Sequence, residues 1–223
     1  MKICVIIPTY NEGKTIGGLI SQIRKLKLYP IVIDDGSIDN TAVIAEQNGA
    51  SVLRNQRNQG KGAALIRGFE YCIKNNFDSA ITMDGDGQHL PEDIPAFISL
   101  AEKKEEIGII IGNRMFNRKN MPFIRVLTNK FMSWLLSKII RQKIYDSQCG
   151  FRLIKRKVFE KLSLKTNKFE IESEIIVEAG KNGVKIESIP IQTVYKKEHS
   201  HINPFVDTLR FLKFVFKEIA SKK

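Results

Sequence analysis

The chain has 223 residues, 43% hydrophobic and 27% charged, with a formal net charge of +12, which suffices for one large domain or two small ones. Three cysteines, Cys4, Cys72 and Cys149, without Cys-x-x-Cys spacing, exclude a disulfide framework and a structural zinc, and point to a reducing compartment. No apolar run approaches the roughly 18 residues of a membrane span and no signal-peptide pattern opens the chain, so a cytoplasmic protein is expected, its charge suiting nucleic-acid, anionic-membrane or phosphorylated partners.

In chain order, the β-branched run Ile3 to Ile7 reads as a strand and delivers Pro8-Thr-Tyr-Asn-Glu12. Ile31 to Ile33 delivers Asp34-Asp-Gly-Ser-Ile-Asp39, and Ser51 to Leu53 leads to Asn58-Gln-Gly-Lys-Gly62. Ala80 to Met83 ends in Asp84-Gly-Asp-Gly-Gln-His89, and Ile107 to Ile111 in Gly112-Asn-Arg114. Stretches with 3.6-residue spacing separate these runs, which predicts an α/β fold of β/α units around a mostly parallel sheet buried on both faces. Ligands of such sheets sit beyond the carboxyl ends of the strands. The loops expected at the opposite end, Lys25 to Pro30, Gln47 to Ala50 and Asn75 to Asp78, are ordinary helix exits, so the polar clusters mark one functional rim.

After Arg114 the alternation weakens. Lys119 to Lys143 reads as a basic, aromatic helix; Asp146-Ser-Gln-Cys-Gly-Phe-Arg152 leads into a short strand and a helix near Lys155 to Leu162. A helix from about Glu172 to Asn182, a strand pair around Val184 to Val194 and a last helix from Pro204 onward complete the pattern. The last helix gathers Phe205, Leu209, Leu212, Val215, Phe216 and Ile219 on one face, with Arg210, Lys213 and Lys217 opposite. At 100° per residue Phe214 falls in the middle of the polar face, so this helix packs on the core or meets a membrane surface or partner. Without repeats or low-complexity linkers, a single domain over residues 1–223 is expected.

Asp84 and Asp86 are two apart on a glycine-loosened strand end, so they make either an ordinary turn or a site for one hard divalent cation. An EF-hand is excluded, because its fifth, sixth and twelfth positions would hold Gln88, His89 and Pro95. The acidic pair Asp34 and Asp35 exceeds what capping needs and can accept bonds from a ribose hydroxyl or a nucleobase N–H. Gly60-Lys61-Gly62 fits neither the dinucleotide nor the Walker-A spacing, yet a lysine turn opening a helix can hold an anion through backbone N–H groups. His89 is a ligand, a phosphate donor or a solvated residue; His199 and His201 suit phosphate contact or solvation better than metal. Arg114 and Arg125 are candidates for phosphate, Arg152 for a structural or mixed role, and Lys155 is expected on the same rim.

Taken together, these motifs resemble the family 2 glycosyltransferases with a GT-A fold, in particular the polyprenyl-phosphate sugar synthases related to dolichol-phosphate mannose synthase. The resemblance spans nearly the whole chain. It implies a donor half over residues 1–115 and an acceptor half over residues 116–223. Pro8, Tyr10, Glu12 and Asp35, with Asp34, Lys61, Asp84 and Gly85, would hold the nucleotide of a UDP- or GDP-sugar. Asp84, Asp86 and Gln88 would bind Mg²⁺ or Mn²⁺ on the diphosphate, making Asp86 catalytic, and transfer would invert the anomeric carbon.

The resemblance also implies a polyprenyl-phosphate acceptor held by Arg114 and Arg125, with Asn129 where the family carries a small hydroxyl residue. A further family arginine falls at Tyr195, where Lys196, Lys197 and Ser200 could supply the contact. Peripheral contact with the membrane is then expected through the basic surface and the last helix. The alternative is a hydroxyl acceptor, with Asp146 or Glu174 as base. Nucleic acid is not expected, since no RNP-like or zinc-finger pattern is present.

Overall fold

Residues 1–115 supply five parallel strands: β1 (Ile3–Thr9), β2 (Tyr29–Asp34), β3 (Ser51–Arg54), β4 (Ser79–Thr82) and β5 (Ile107–Asn113). Residues 116–223 add β6 (Arg152–Lys155) and β7 (Lys185–Pro190) to the same sheet, whose order is β3-β2-β1-β4-β6-β5-β7. The structure is a computed structural model that describes residues 1–117, 121–194, 210, 211 and 213–215. All neighbours pair in parallel except β6, which runs antiparallel to both β4 and β5.

The runs of Ile and Val bury because helices cover the sheet. β1 reads Ile-Cys-Val-Ile-Ile with every side chain buried, and β4 is buried throughout. Burial on both faces, rather than alternation, is what continuous apolar strands specify. The helices are α1 (Ile16–Lys25), α2 (Thr41–Gln47), α3 (Lys61–Lys74), α4 (Ile94–Lys103), α5 (Phe123–Ile140), α6 (Arg156–Phe159) and α7 (Ile171–Lys181). α3 packs on β1, β2 and β4, α4 on β5 and β6, and α5 on α7.

Three expectations change. The segment from Val184 to Val194 makes one strand, β7, and beyond it only an isolated antiparallel bridge between Thr193 and His89, because Pro190 ends the ladder. Lys155 lies at the far end of the sheet: β6 runs backwards, so its last residue pairs with Ser79, the first of β4. There Lys155 Nζ donates to the carbonyls of Ala101 and Glu105, each at 3.0 Å, beside a cavity of about 520 Å³ that also touches Met1 and Asp78. Phe214 is buried, with Phe211 and Val215, while Lys213 is exposed, so the described part of the last helix turns Phe214 to the core. The other residues assigned to that helix's two faces lie outside the described residues, Arg210 apart.

Candidate active site

The parallel strands end at one rim, at Thr9, Asp34, Arg54, Thr82 and Asn113, and β6 begins there at Arg152, opposite Thr82 and Ile111. The loops after β1 and β2 are clasped together. Asn11, in the left-handed region at φ 58°, donates its N–H to Ser37 Oγ at 2.9 Å, and its Oδ1 accepts from the Ile38 N–H at 2.9 Å. The Glu12 N–H donates to Thr41 Oγ1 at 2.8 Å. The Thr15 hydroxyl then reaches across to the Gly85 carbonyl at 2.6 Å and ties this pair of loops to the acidic turn. Pro8, Tyr10 and Glu12 stay half-buried along this edge.

The acidic pair divides its work. Asp34 is fully buried: Oδ1 accepts from the Ser37 N–H at 3.0 Å, and Arg54 Nε sits 3.1 Å from Oδ2, off the line of a hydrogen bond. It holds the turn from below. Asp35 accepts from Asn55 Nδ2 at 2.7 Å, the Gln59 N–H at 2.9 Å and the Gly60 N–H at 2.7 Å, so it shapes the loop that enters α3.

Lys61 also departs from expectation. The carbonyl of Asn167 accepts from the Gly62 N–H at 2.9 Å, so the start of α3 is capped by the chain itself and offers no open anion cradle. The Lys61 ammonium lies 2.5 Å from both Asp84 Oδ1 and Glu172 Oε1. Burial pushes its pKa down, but the charges of Asp84 and Glu172 outweigh burial and hold it above the usual lysine range. Gly150 closes this cluster, because a Cβ there would stand 2.9 Å from an oxygen of each carboxylate. Glu172 is the residue that sequence reasoning missed; among Glu170, Glu172 and Glu174 it resembles any acid of a helix first turn.

Against burial, which favours its neutral form, the Lys61 ammonium holds the Asp84 carboxyl at about 2. Asp86 is pushed up to about 6, by burial first and by the Asp84 charge second, although the Gln88 N–H donates to its Oδ1 at 2.9 Å. His89 is buried against Phe151 with its rings 5.2 Å apart, and burial drives its pKa down to about 4. It is a neutral packing residue that accepts the Asp84 N–H at 3.4 Å, not a solvated one.

Beyond the acidic turn, Asp146 is fully buried and saturated. It accepts from Arg114 Nε at 2.8 Å, Arg114 Nη2 at 2.9 Å, the Arg114 N–H at 3.0 Å and Asn129 Nδ2 at 2.7 Å. Burial alone would raise its pKa, but Arg114 holds it below the usual carboxylate range. Glu174 faces elsewhere: it accepts from the Lys165 and Thr166 N–H groups, each at 2.9 Å, and so pins the segment after α6 rather than touching the rim. Arg152 is structural, donating to the carbonyls of Cys149, Glu172 and Ser147 at 2.7–2.8 Å. Arg125 lies half-buried one turn before Asn129 on α5 and has no side-chain partner among the described residues. Tyr195, Lys196, Lys197, His199, Ser200 and His201 lie outside the described residues.

Among the described residues no three His, Cys, Asp or Glu side chains form a ready cation cluster. Asp84, Asp86 and Gln88 nevertheless fit a hard divalent ion chemically, since they present oxygen donors, and the Asp84 charge adds to burial in raising Asp86, a repulsion that a cation would relieve. Residues 4–163 match the family Glycosyl transferase family 2. The chain belongs to this family. It is 31% identical, over 86% of each chain, to a UDP-N-acetylglucosamine–dolichyl-phosphate N-acetylglucosaminyltransferase of Methanococcus voltae. It is 33% identical to a dolichol-phosphate mannosyltransferase of Pyrococcus furiosus, over 79% of this chain and 53% of that one. Its fold is similar, with a TM-score of 0.72 and 20% identity over 93% of this chain and 73% of the other, to glucosyl-3-phosphoglycerate synthase from Mycobacterium tuberculosis, solved with Mn²⁺, UDP and phosphoglyceric acid. The fold is therefore GT-A, and this family 2 member, similar to polyprenyl-phosphate sugar synthases, is a glycosyltransferase.

Proposed function

We propose that this glycosyltransferase moves a hexose-type sugar, with inversion, from a UDP- or GDP-sugar to a polyprenyl phosphate at the cytoplasmic face of a membrane. It works as one domain, residues 1–115 serving the donor and residues 116–223 the acceptor. The observation that carries this reading is the engagement of Asp146 and Glu174, the two carboxylates expected as base for a hydroxyl acceptor, in hydrogen bonds of their own. A hydroxyl acceptor must lose a proton as it attacks, whereas a lipid phosphate arrives as an anion and needs positioning by cations. The names of the Methanococcus and Pyrococcus relatives support the same acceptor class.

In this mechanism Asp146 fixes the Arg114 guanidinium through a two-pronged pair and orders Asn129, so that Arg114, Arg125 and Asn129 receive the acceptor phosphate on one side of the rim. A phosphate oxygen attacks the anomeric carbon while the bond from that carbon to the diphosphate breaks, and its electrons leave with the nucleoside diphosphate. A divalent ion at Asp84, Asp86 and Gln88, for which the Mn²⁺ of the similar solved structure is support, would neutralise the departing charge. Pro8, Tyr10 and Glu12 line the nucleoside edge, and Asp35 keeps the Gln59–Gly60 loop in place beside it.

The test is incubation of the chain with UDP- and GDP-sugars, Mn²⁺ or Mg²⁺ and a short polyprenyl phosphate. An acid-labile lipid phosphosugar with release of nucleoside diphosphate is expected. A glycosidic product on a hydroxyl acceptor, or nucleotide-sugar binding without any release, overturns the reading.

A further inference from the structure

We infer that the outward face of α5 is a membrane-docking surface that seats this chain on an anionic bilayer, an inference that rests on the lipid-phosphate acceptor proposed above. Phe123, Ile124, Leu127, Phe131 and Trp134 are between 46% and 79% exposed, on a helix whose other side, through Val126, Met132 and Leu136, is buried. With Lys130 and Lys138, also exposed, they fall within an arc of roughly 120° at 3.6 residues per turn. An apolar face of this size is not a scatter of single surface residues.

Charge selects the occupant. From residue 107 to residue 145 the sequence has eight Lys and Arg and no Asp or Glu. Two lysines inside the stripe can lift their ammonium groups to phosphate headgroups while Phe, Leu and Trp enter the acyl boundary. A second copy of the chain would bring the same cations face to face, so self-pairing is disfavoured. The stripe lies on the helix that also carries Arg125 and Asn129, whose side chains leave from its other side, where Asn129 bonds Asp146. α5 carries Arg125, Lys130 and Lys138, and no helix among the described residues is long and apolar enough to cross a membrane, so contact would lie in the plane of the surface. The described part of the last helix, where Phe211, Phe214 and Val215 are buried, offers no comparable face.

Trp134 is the single tryptophan of the chain and is 56% exposed, so its emission reports this surface alone. Phosphatidylglycerol-containing vesicles should shift Trp134 emission to the blue, and brominated lipid should quench it, while vesicles of phosphatidylcholine alone should do neither. Phe123→Ser with Leu127→Ser should weaken partitioning by roughly tenfold or more, with the melting temperature and donor hydrolysis unchanged. The wild-type emission stands as a test even if that variant misfolds. Sedimentation with vesicles without any change at Trp134 overturns the proposal, as does a concentration-dependent dimer that buries Trp134 without lipid. Transfer to a soluble short polyprenyl phosphate with no vesicle docking overturns the surface and leaves the function standing. Docking through Trp134 without transfer to any polyprenyl phosphate does the reverse.

Discussion

At the turn after β4, Asp86 and His89 titrate away from their ordinary values in opposite directions, and the signs can be checked. Asp86 rises from 3.8 to about 6, so between those values the folded state holds more protons and stability falls as pH rises. His89 drops from 6.5 to about 4, so the unfolded state holds more protons there and stability rises with pH. The two offset each other in the wild type. Asp86→Asn removes only the first contribution, worth up to about 3 kcal/mol at 1.36 kcal/mol per pKa unit. In chelator its melting temperature, relative to wild type, should therefore climb from pH 4 to pH 6.5; a constant difference would refute the assignment. At pH 7.5 Mn²⁺ should raise the melting temperature of the wild type and leave the variant unmoved, and transfer should be lost. The acidic turn was legible because Asp-Gly-Asp after an apolar run is a local pattern. Glu172 was not, because its meeting with Lys61 joins residues 111 positions apart.

Elements meet most tightly where the chain after α6 crosses the start of α3. A Cβ on Gly62 would stand 2.3 Å from the Thr166 carbonyl oxygen, a contact with backbone that no rotamer can relieve. Gly62→Ala should thus cost about 1–3 kcal/mol, and at roughly 2–4 °C per kcal/mol the melting temperature reads it directly. A variant as stable as wild type would mean that the two segments are not in contact. This crossing explains why Gly60-Lys61-Gly62 looked like an anion loop: glycines that admit a ligand and glycines that admit another stretch of backbone have the same local signature. Helix periodicity misled in a related way. Phe214 lies off the apolar arc drawn from Phe205 to Ile219, yet Phe211, Phe214 and Val215 form their own i, i+3, i+4 set facing the core.

For the whole molecule, the runs Ile3 to Ile7, Ile31 to Ile33 and Ile107 to Ile111 made the parallel sheet legible, because burial on both faces demands continuous β-branched residues. The place of β6 was not legible: Arg-Leu-Ile-Lys has too few residues to declare a direction, and its neighbours are set by pairing across the chain. That placement separates function from folding. β4 and β5, consecutive within residues 1–115, do not pair, since β6 from the later part of the chain lies between them. A chain ended after Asn117 would hold every donor motif and still leave the inner edges of β4 and β5 without partners. Such a fragment should show no cooperative melting and should bind hydrophobic dye, whereas a cooperative transition would show that it folds alone. On the ribosome, the cluster of Lys61, Asp84 and Glu172 then stays unfinished until Glu172 has emerged, so synthesis order and assembly order differ.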